Sequence, residues 1–491
     1  MGIVVRQSFL SSVFAFLGVA IGYINIIILM PKYLTQEEIG IVRTINSISF
    51  LMVPFIMFGM NGAILKYYPK IEDKNKQGLI NLTFLVTLSI YALFVLIGYV
   101  SLDLIKSFFS ENASALNDYF LEIGLLMGLM ALFTILESFS KSNYDISSPN
   151  LIREILYKVL NASLIMILGF QLLTFTGYIH SLVLLYFVIT VILFLYVKKR
   201  FNFKIGFKGI RSFPIKGEVF TLSAFTLLGG IGSAVVLQID QIMVTKYLSL
   251  ESNSIYSTAL FMALVVNIPR KFVSQISIPI ITKSFHNKDY KAINTHYKKA
   301  SNNHFVLGAF LLTGILTNLH NIYEIMPNGD QFKEGFFIVY LLGLAKLLDM
   351  TFSLNGEIIY LSKYYRYTIL FVVILAIITI ITNLIFIPIY GTIGAAYATL
   401  ITYFLYNISR FIFLKIKYDF SPFSINTFFI SMATIMIFIA TNYLPAHNNP
   451  YFDILIRGSF TTILYFFYVK FFKPTEELYT IYLQLKRTLS K

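Results

Sequence analysis

Cysteine and tryptophan are both absent from this chain of 491 residues, and charged residues are scarce. Without cysteine, the chain can form neither a disulfide framework nor a thiolate metal site. Only 13% of the residues are charged and 57% are hydrophobic, whereas about a quarter of a soluble protein is charged. A soluble core cannot bury that much apolar surface, so the composition excludes an ordinary soluble domain and indicates a membrane protein.

Apolar segments recur along the whole chain. About 18 apolar residues in a helix are enough to cross roughly 30 Å of hydrocarbon. The sequence predicts an all-α polytopic membrane protein with about fourteen transmembrane helices. These are expected at 9–30, 41–66, 79–102, 119–140, 151–173, 176–197, 218–243, 255–281, 302–322, 335–361, 367–388, 391–415, 425–444 and 452–472.

Lysine and arginine are unevenly shared between the two sets of predicted loops. The net charge is +15, and 32 of the 39 basic residues fall on the side that carries the N-terminus. The opposite loops are short, neutral or acidic. Because basic loops stay in the cytoplasm, both termini are predicted to be cytoplasmic. The net charge then reflects topology and attraction to anionic lipid, and no nucleic-acid partner is expected.

A hexapeptide occurs twice, as KYLTQE at Lys32–Glu37 and as KYLSLE at Lys246–Glu251, 214 residues later. The copies follow predicted spans 1 and 7, so they face the same side and the two halves run parallel. Gly177 and Gly391 repeat the same offset; chance similarity is the alternative. The sequence predicts two pseudo-symmetric six-helix bundles, at 1–200 and 218–417. A basic cytoplasmic linker at 201–217 joins them, and two further helices with a cytoplasmic tail follow at 418–491.

Several acidic residues fall inside predicted spans, where ionisable groups usually face a partner or a cavity. Lys346, Asp349, Ser353 and Glu357 share one face of the tenth span. This stripe favours either a structural Lys346–Asp349 pair or a cavity that binds substrate or a coupling ion. Asp240, near the end of the seventh span, is either an interfacial carboxylate or an ion site. Asp349, Glu357 and Asp240 are therefore the candidates for ion coupling.

Arg270 and Lys271 lie in the eighth span, between Pro269 and Pro279, which would bend the helix. Arg270 is the first candidate for a phosphate ligand, because a guanidinium binds two phosphate oxygens at once. In the alternative, the helix ends early and both residues anchor the chain at the membrane surface.

Other basic residues are candidates of lower rank. Lys346, Arg43 and Lys66 complete the predicted substrate-binding set. Arg43 sits at the outer end of the second span. Lys66, like Arg153 and Arg410, lies close to a cytoplasmic span end, where surface anchoring is the favoured interpretation.

The sequence contains no HExxH, P-loop or Gly-x-Ser-x-Gly motif. His286, His296 and His304 lie in one basic segment, and their spacing fits a solvated face better than a metal site. We therefore expect no catalytic residue, no metal and no cofactor.

Three segments resemble bacterial polysaccharide-export flippases of the O-antigen (Wzx) type, members of the multidrug/oligosaccharidyl-lipid/polysaccharide exporter superfamily. These are Leu29–Ile48, Gln238–Met262 and Ile387–Tyr403, although the second outer loop lacks the glycine that usually precedes Ile255-Tyr256. The resemblance implies a fold like that of the multidrug exporters, with two bundles around a central cavity that opens alternately to each side.

The same resemblance implies a function in the bacterial inner membrane. The substrate would be an oligosaccharide linked to an undecaprenyl-pyrophosphate type of lipid, moved from the inner to the outer leaflet for surface polysaccharide such as lipopolysaccharide. Coupling to H⁺ or Na⁺ is the implied energy source. The first alternative is a cation-coupled multidrug antiporter. A membrane polysaccharide polymerase or acyltransferase is less favoured, because the longest predicted outer loop has about 16 residues.

Overall fold

The structure, a computed structural model, describes residues 3–109, 112–201, 204–206, 209–210, 213–475, 477 and 479–480. Across these residues the regular elements are all helical, as the sequence predicts. The chain forms two compact units, Met1–Ser254 and Ile255–Lys491.

Among the described residues, the first unit contains eleven α-helices and the start of a twelfth. In chain order these are α1 (Ile3–Tyr23), α2 (Met30–Tyr33), α3 (Gln36–Met57), α4 (Met60–Tyr67), α5 (Asp73–Val100), α6 (Leu102–Phe109), α7 (Phe120–Ser142), α8 (Ser147–Asn150), α9 (Tyr157–Gly169), α10 (Phe175–Phe201), α11 (Lys216–Tyr247) and α12 (Leu250–Leu264). Its apolar core gathers buried side chains of α3, α4, α5, α7 and α10, among them Ile56, Met60, Leu136 and Leu193.

The second unit takes the rest of α12 and eight further helices. They are α13 (Ile268–His286), α14 (Tyr290–Thr317), α15 (Leu319–Ile325), α16 (Phe336–Phe352), α17 (Asn355–Leu361), α18 (Tyr367–Tyr418), α19 (Ile425–Asn442) and α20 (Pro450–Phe472). Its core joins α14, α16, α19 and α20 through side chains such as Phe305, Leu347, Ile430 and Tyr465.

Helix α11 belongs to the first unit, where it packs against α3 and α4. The predicted second bundle begins with this helix, at residue 218. The compact units are defined by packing contacts, whereas the predicted bundles are defined by a sequence repeat, so the first division does not test the second. The bundles at 1–200 and 218–417 therefore stay a prediction.

Ten helical stretches of the described chain are long and apolar enough to cross a membrane, or eleven if the bent pair α14 and α15 is one span. The predicted fifth and eighth spans are interrupted. A π-helical turn at Leu151–Leu156 precedes α9, and a 3₁₀ turn at Val265–Asn267 separates α12 from α13. The predicted total of fourteen therefore stays a prediction, whereas a multi-pass helical membrane protein is confirmed.

The 52 residues of α18 hold two predicted spans. Gly391 breaks the helix with φ 61° and ψ −141°, a backbone conformation that glycine adopts far more readily than other residues. The hydroxyls of Thr382 and Thr402 lie 3.1 Å apart, although 20 residues of straight helix would separate them by about 30 Å. The chain therefore turns back at Gly391, as the sequence predicts for the turn between spans 11 and 12.

Both copies of the repeated hexapeptide form the same local structure. In the first, the Thr35 hydroxyl accepts a hydrogen bond from the Glu38 N–H (3.2 Å) at the start of α3. In the second, the Ser249 hydroxyl accepts from the Ser252 N–H (3.1 Å) at the start of α12. Each copy is thus a turn that ends one helix and caps the next.

The two capped helix starts also contact each other within the first unit. Asn253 donates to the Thr44 hydroxyl (2.8 Å), which lies 2.8 Å from the Thr245 hydroxyl. Gly40 faces the backbone of Leu250 so closely that a methyl group there would lie 2.0 Å from the Leu250 carbonyl oxygen. Only glycine allows this approach of the two segments.

We predict that Gly40→Ala destabilises the protein by about 1–3 kcal/mol, the usual cost of overpacking, because the backbone of Leu250 must move. Thermal unfolding of the purified protein in detergent measures this. Gly124→Ala on α7 is the matched control, since nothing lies within 4 Å of a methyl group there. Equal melting temperatures for the Gly40 variant and the wild type would contradict the prediction.

Candidate functional site

A break between α16 and α17 lies inside the predicted tenth span. Helix α16 ends at Phe352 and α17 begins at Asn355. Ser353 takes φ 53° and ψ −116°, which is uncommon for a residue with a side chain. The break removes partners from backbone carbonyl groups, and inside a bilayer these groups must be satisfied by the protein itself.

Helix α14 supplies those partners from one of its faces. The Tyr297 hydroxyl donates to the Phe352 carbonyl (3.0 Å) and the Ser301 hydroxyl to the carbonyl of Thr351 (2.5 Å). One turn further, the Nδ1 atom of His304 lies 2.7 Å from the Ser353 hydroxyl. His304 is fully buried, so the expectation of a solvated face is wrong for this residue.

Arg270, at the start of α13, is bound into the same region. Its guanidinium donates to the Asp349 carboxylate and to the Ser353 carbonyl (3.2 Å). Asp349 is buried and also accepts from Asn267 (3.3 Å) and Asn407 (3.2 Å). Helix α12 ends at Leu264, and α13, which begins at Ile268, carries Arg270 in its first turn. The alternative in which Arg270 and Lys271 anchor the chain at the membrane surface stays a prediction. The buried partner of Asp349 is thus Arg270.

The other members of the predicted stripe lie beside this pair. Glu357 accepts from the Ser274 hydroxyl (2.7 Å), and its second oxygen is 3.8 Å from the Arg270 guanidinium. Lys346 is buried and donates to the Tyr403 hydroxyl (2.8 Å), with its ammonium 4.1 Å from the centre of that ring. The structure therefore brings together Arg270, Lys346, Asp349 and Glu357. Their roles in substrate binding and ion coupling stay predictions.

Arg410 is a further buried cation, although surface anchoring is the favoured prediction for it. It is 7% exposed, and its guanidinium stacks 3.9 Å from the centre of the Tyr406 ring. Its Nε atom has no hydrogen-bond partner among the described residues. Gly356 makes room for it, because a methyl group there would lie 2.7 Å from the Arg410 Nη1 atom.

A pattern on α18 could have revealed Arg410. Tyr403, Asn407 and Arg410 are spaced i, i+4 and i+7, so they occupy one helix face. Two of these three contact the predicted stripe on the tenth span: Tyr403 through Lys346 and Asn407 through Asp349.

These groups form the Arg270 cluster, defined here as Arg270, Lys346, Arg410, Asp349 and Glu357. The cluster lies in the second unit and holds three cations and two carboxylates, which give it a net charge of +1. Excess positive charge in a desolvated site attracts an anion strongly, because the local dielectric constant is low. The described residues contain no group of three His, Asp or Glu placed to hold a metal ion.

The remaining predicted site residues lie outside this cluster. Asp240 is buried on α11, in the first unit. Arg43 on α3 points its Nη2 atom to the Met30 sulfur (3.8 Å), and its Nε atom has no partner among the described residues. Lys66 is exposed beside the Tyr67 ring. The side chain of Lys271 lies outside the described part of the structure.

A helical chain with many segments long and apolar enough to span a membrane, and with a buried ionic cluster inside one helical unit, is typical of polytopic membrane transporters. The profile of a family described as "Polysaccharide biosynthesis protein" matches residues 29–312. The chain belongs to this family, and the predicted resemblance to a polysaccharide biosynthesis family is confirmed. No curated protein sequence matches the chain.

Several solved structures share the fold. The lipid II flippase MurJ in an inward closed conformation is 17% identical with a TM-score of 0.75, over 94% of this chain and 98% of that one. An outward-facing multidrug transporter of the MATE family is 13% identical with a TM-score of 0.60, over 85% and 95%. A superfamily transporter from Pyrococcus furiosus is also 13% identical, with a TM-score of 0.59 over 85% and 95%.

We predict that Asp349→Ala destabilises the protein by about 3–5 kcal/mol, because it leaves the Arg270 guanidinium buried beside a single, more distant carboxylate. Replacing both partners, as Arg270→Met with Asp349→Leu, should recover most of that loss, since no buried charge of the pair remains. The measurement is thermal unfolding in detergent. Asp419→Ala is the control, because this exposed residue pairs with Lys415 at the surface; a shift as large as that of Asp349→Ala would contradict our interpretation.

Proposed function

We propose that this protein is a flippase for a lipid-linked oligosaccharide. It would move an undecaprenyl-pyrophosphate-linked sugar from the inner to the outer leaflet of the bacterial inner membrane, for O-antigen or a related surface polysaccharide. Membership in the polysaccharide biosynthesis family supports the substrate class. The observation that carries the proposal is the excess of buried positive charge in the Arg270 cluster.

Phosphate recognition would use the cations of this cluster. A pyrophosphate offers several charged oxygens, and the planar guanidinium of Arg270 can bind two of them at once. Lys346 donates to a neutral hydroxyl and Arg410 stacks on an aromatic ring. Neither therefore has to break a salt bridge before it binds an anion. Arg270 must exchange Asp349 for phosphate.

That exchange suggests how transport is coupled to an ion. When phosphate binds the Arg270 guanidinium, the buried Asp349 carboxylate loses its salt bridge to Arg270. An unpaired carboxylate is costly in a low-dielectric site. A proton or a sodium ion bound at Asp349 removes that cost. Glu357, 3.8 Å from Arg270, would share this role. Substrate and ion would therefore bind together and leave together.

The break at Ser353 would supply mobility for the same process. Broken helices that place backbone groups and ion pairs within the membrane are typical of transporters that work by alternating access. The backbone at Ser353 is already outside the regular helix, so α16 and α17 can change their angle without loss of further helical hydrogen bonds. We propose that the two predicted halves of the chain rock against each other during this change.

The cation-coupled multidrug antiporter is the alternative, and likeness to the fold of the MATE transporters supports it. A site for cationic drugs would need an excess of carboxylates or aromatic rings facing the ligand. The excess of cations in the Arg270 cluster favours an anionic cargo.

Deleting the gene in its host tests the proposed function directly. We expect a single-repeat oligosaccharide lipid to accumulate on the inner leaflet and surface glycan to be lost, because the cargo no longer crosses. Mass spectrometry of extracted isoprenoid lipids, with a leaflet assay, measures both. Unchanged lipid pools with raised sensitivity to cationic dyes would contradict the flippase and support the antiporter.

Lys346→Gln tests the cluster itself. We expect about tenfold less surface glycan export in the complemented deletion strain, because one charge-assisted bond to phosphate is lost. Arg410→Gln should act in the same direction. Lys333→Gln is the matched control, since Lys333 is exposed and pairs with Asp330. With protein levels equal by immunoblot, normal export by both cluster variants would refute this site.

A further inference from the structure

The first unit contains a second candidate site, a cavity of about 410 Å³ between α5, α7 and α10. This volume falls within the usual range for small-molecule sites. Most of its lining is aliphatic or aromatic, with these side chains among it: Leu88, Leu125, Leu129, Val183, Leu184 and Phe187.

The cavity opens on the surface of the unit. Leu184 is 60% exposed and Phe187, Leu88 and Leu125 are also exposed. All lie within helices that are long and apolar enough to cross the membrane. The medium against such a surface is lipid, so the natural occupant of the apolar part is a hydrocarbon chain.

Tyr91, which also lines the cavity, is tightly packed against α7. The Tyr91 hydroxyl donates to the Gly124 carbonyl (3.1 Å) on α7. A methyl group at Gly128 would lie 2.7 Å from the Tyr91 ring. The ring is therefore held against α7 by a hydrogen bond and by close contact, and the cavity has a defined shape before any ligand enters.

One end of the cavity is polar. His180 lines it and donates through Nε2 to Glu122 Oε1 (2.9 Å). Glu122 is 6% exposed, and its Oε2 atom has no hydrogen-bond partner in the described chain. Thr87, which lines the cavity and is 1% exposed, likewise has no partner for its hydroxyl among these residues. Buried polar atoms normally find a partner, so both point to a polar ligand.

The polar end lies where a lipid headgroup would be. Glu122 and His180 are in the first two turns of α7 and α10, close to the helix ends and so to the membrane–water interface. From His180 to Phe187 the cavity follows α10 for seven residues, or about 10 Å. A headgroup at Glu122 therefore leaves room for part of one acyl chain alongside α10.

We propose that this cavity binds a phospholipid with an amino headgroup, such as phosphatidylethanolamine. One acyl chain fills the apolar part and the ammonium group donates to Glu122. An ammonium has several donors and no acceptor, which suits a carboxylate with one free oxygen. The same carboxylate repels a headgroup that carries only phosphate. The site is therefore distinct from the Arg270 cluster in chemistry, and its existence does not depend on the proposed function.

Lipid retention by the purified full-length protein tests this proposal. The protein is equilibrated with equal amounts of dioleoyl phosphatidylethanolamine and dioleoyl phosphatidylglycerol, and native mass spectrometry counts the lipids that stay bound. We expect the wild type to retain phosphatidylethanolamine preferentially. Glu122→Gln keeps an acceptor for His180 but loses the negative charge, and should lower that retention about tenfold.

A second variant tests the apolar part. Val183→Phe fills the cavity and should displace phosphatidylethanolamine. Leu195→Phe, an exposed position on α10 outside the cavity, is its control and should retain the lipid. Equal retention by Glu122→Gln and the wild type would overturn the proposal, as would preferential retention of phosphatidylglycerol or of an isoprenoid phosphate. Should Val183→Phe fail to fold, the Glu122→Gln result still decides.

Discussion

The ion pair between Arg270 and Asp349 is the interaction on which the second unit depends. Each side chain alone would be an uncompensated charge in a low-dielectric interior, at a cost of several kcal/mol. Together, with Asn267 and Asn407 on the carboxylate, they join α13, α16 and α18 at one point. The same pair keeps a guanidinium, the group best suited to phosphate, in the interior of the second unit. Structural and functional demands therefore meet in one contact.

The break at Ser353 exists because its neighbours satisfy it. Tyr297, Ser301 and Arg270 donate to three consecutive carbonyls, those of residues 352, 351 and 353. Without these donors, free carbonyls would favour a continuous helix, since hydrocarbon offers no hydrogen bonds. Arg270 thus serves both the ion pair and the break. If Arg270 changes its partner, its hydrogen bond to the Ser353 carbonyl is expected to change too. Ligand exchange would thereby alter the geometry of the break between α16 and α17.

The sequence predicts the all-helical, multi-pass architecture, because the bilayer constrains each segment separately and its length can be read locally. It also draws attention to Arg270, Lys346, Asp349 and Glu357, since charges inside apolar segments are conspicuous. Their pairing is not local. The stripe suggests Lys346 for Asp349, three residues away, whereas the partner Arg270 is 79 residues away. The burial of His304 depends in the same way on a residue distant in sequence, Ser353, so it could not be assigned from its own segment.

The two candidate sites differ in charge. The Arg270 cluster, in the second unit, has an excess of positive charge, whereas the cavity of the first unit is lined by His180, the partner of the buried Glu122 carboxylate. An anionic headgroup is favoured by the first environment and repelled by the second. A zwitterionic lipid can reach Glu122 through its ammonium group without competing for Arg270. Under the two proposals, the opposite charges would hold a zwitterionic lipid and an anionic cargo at separate sites.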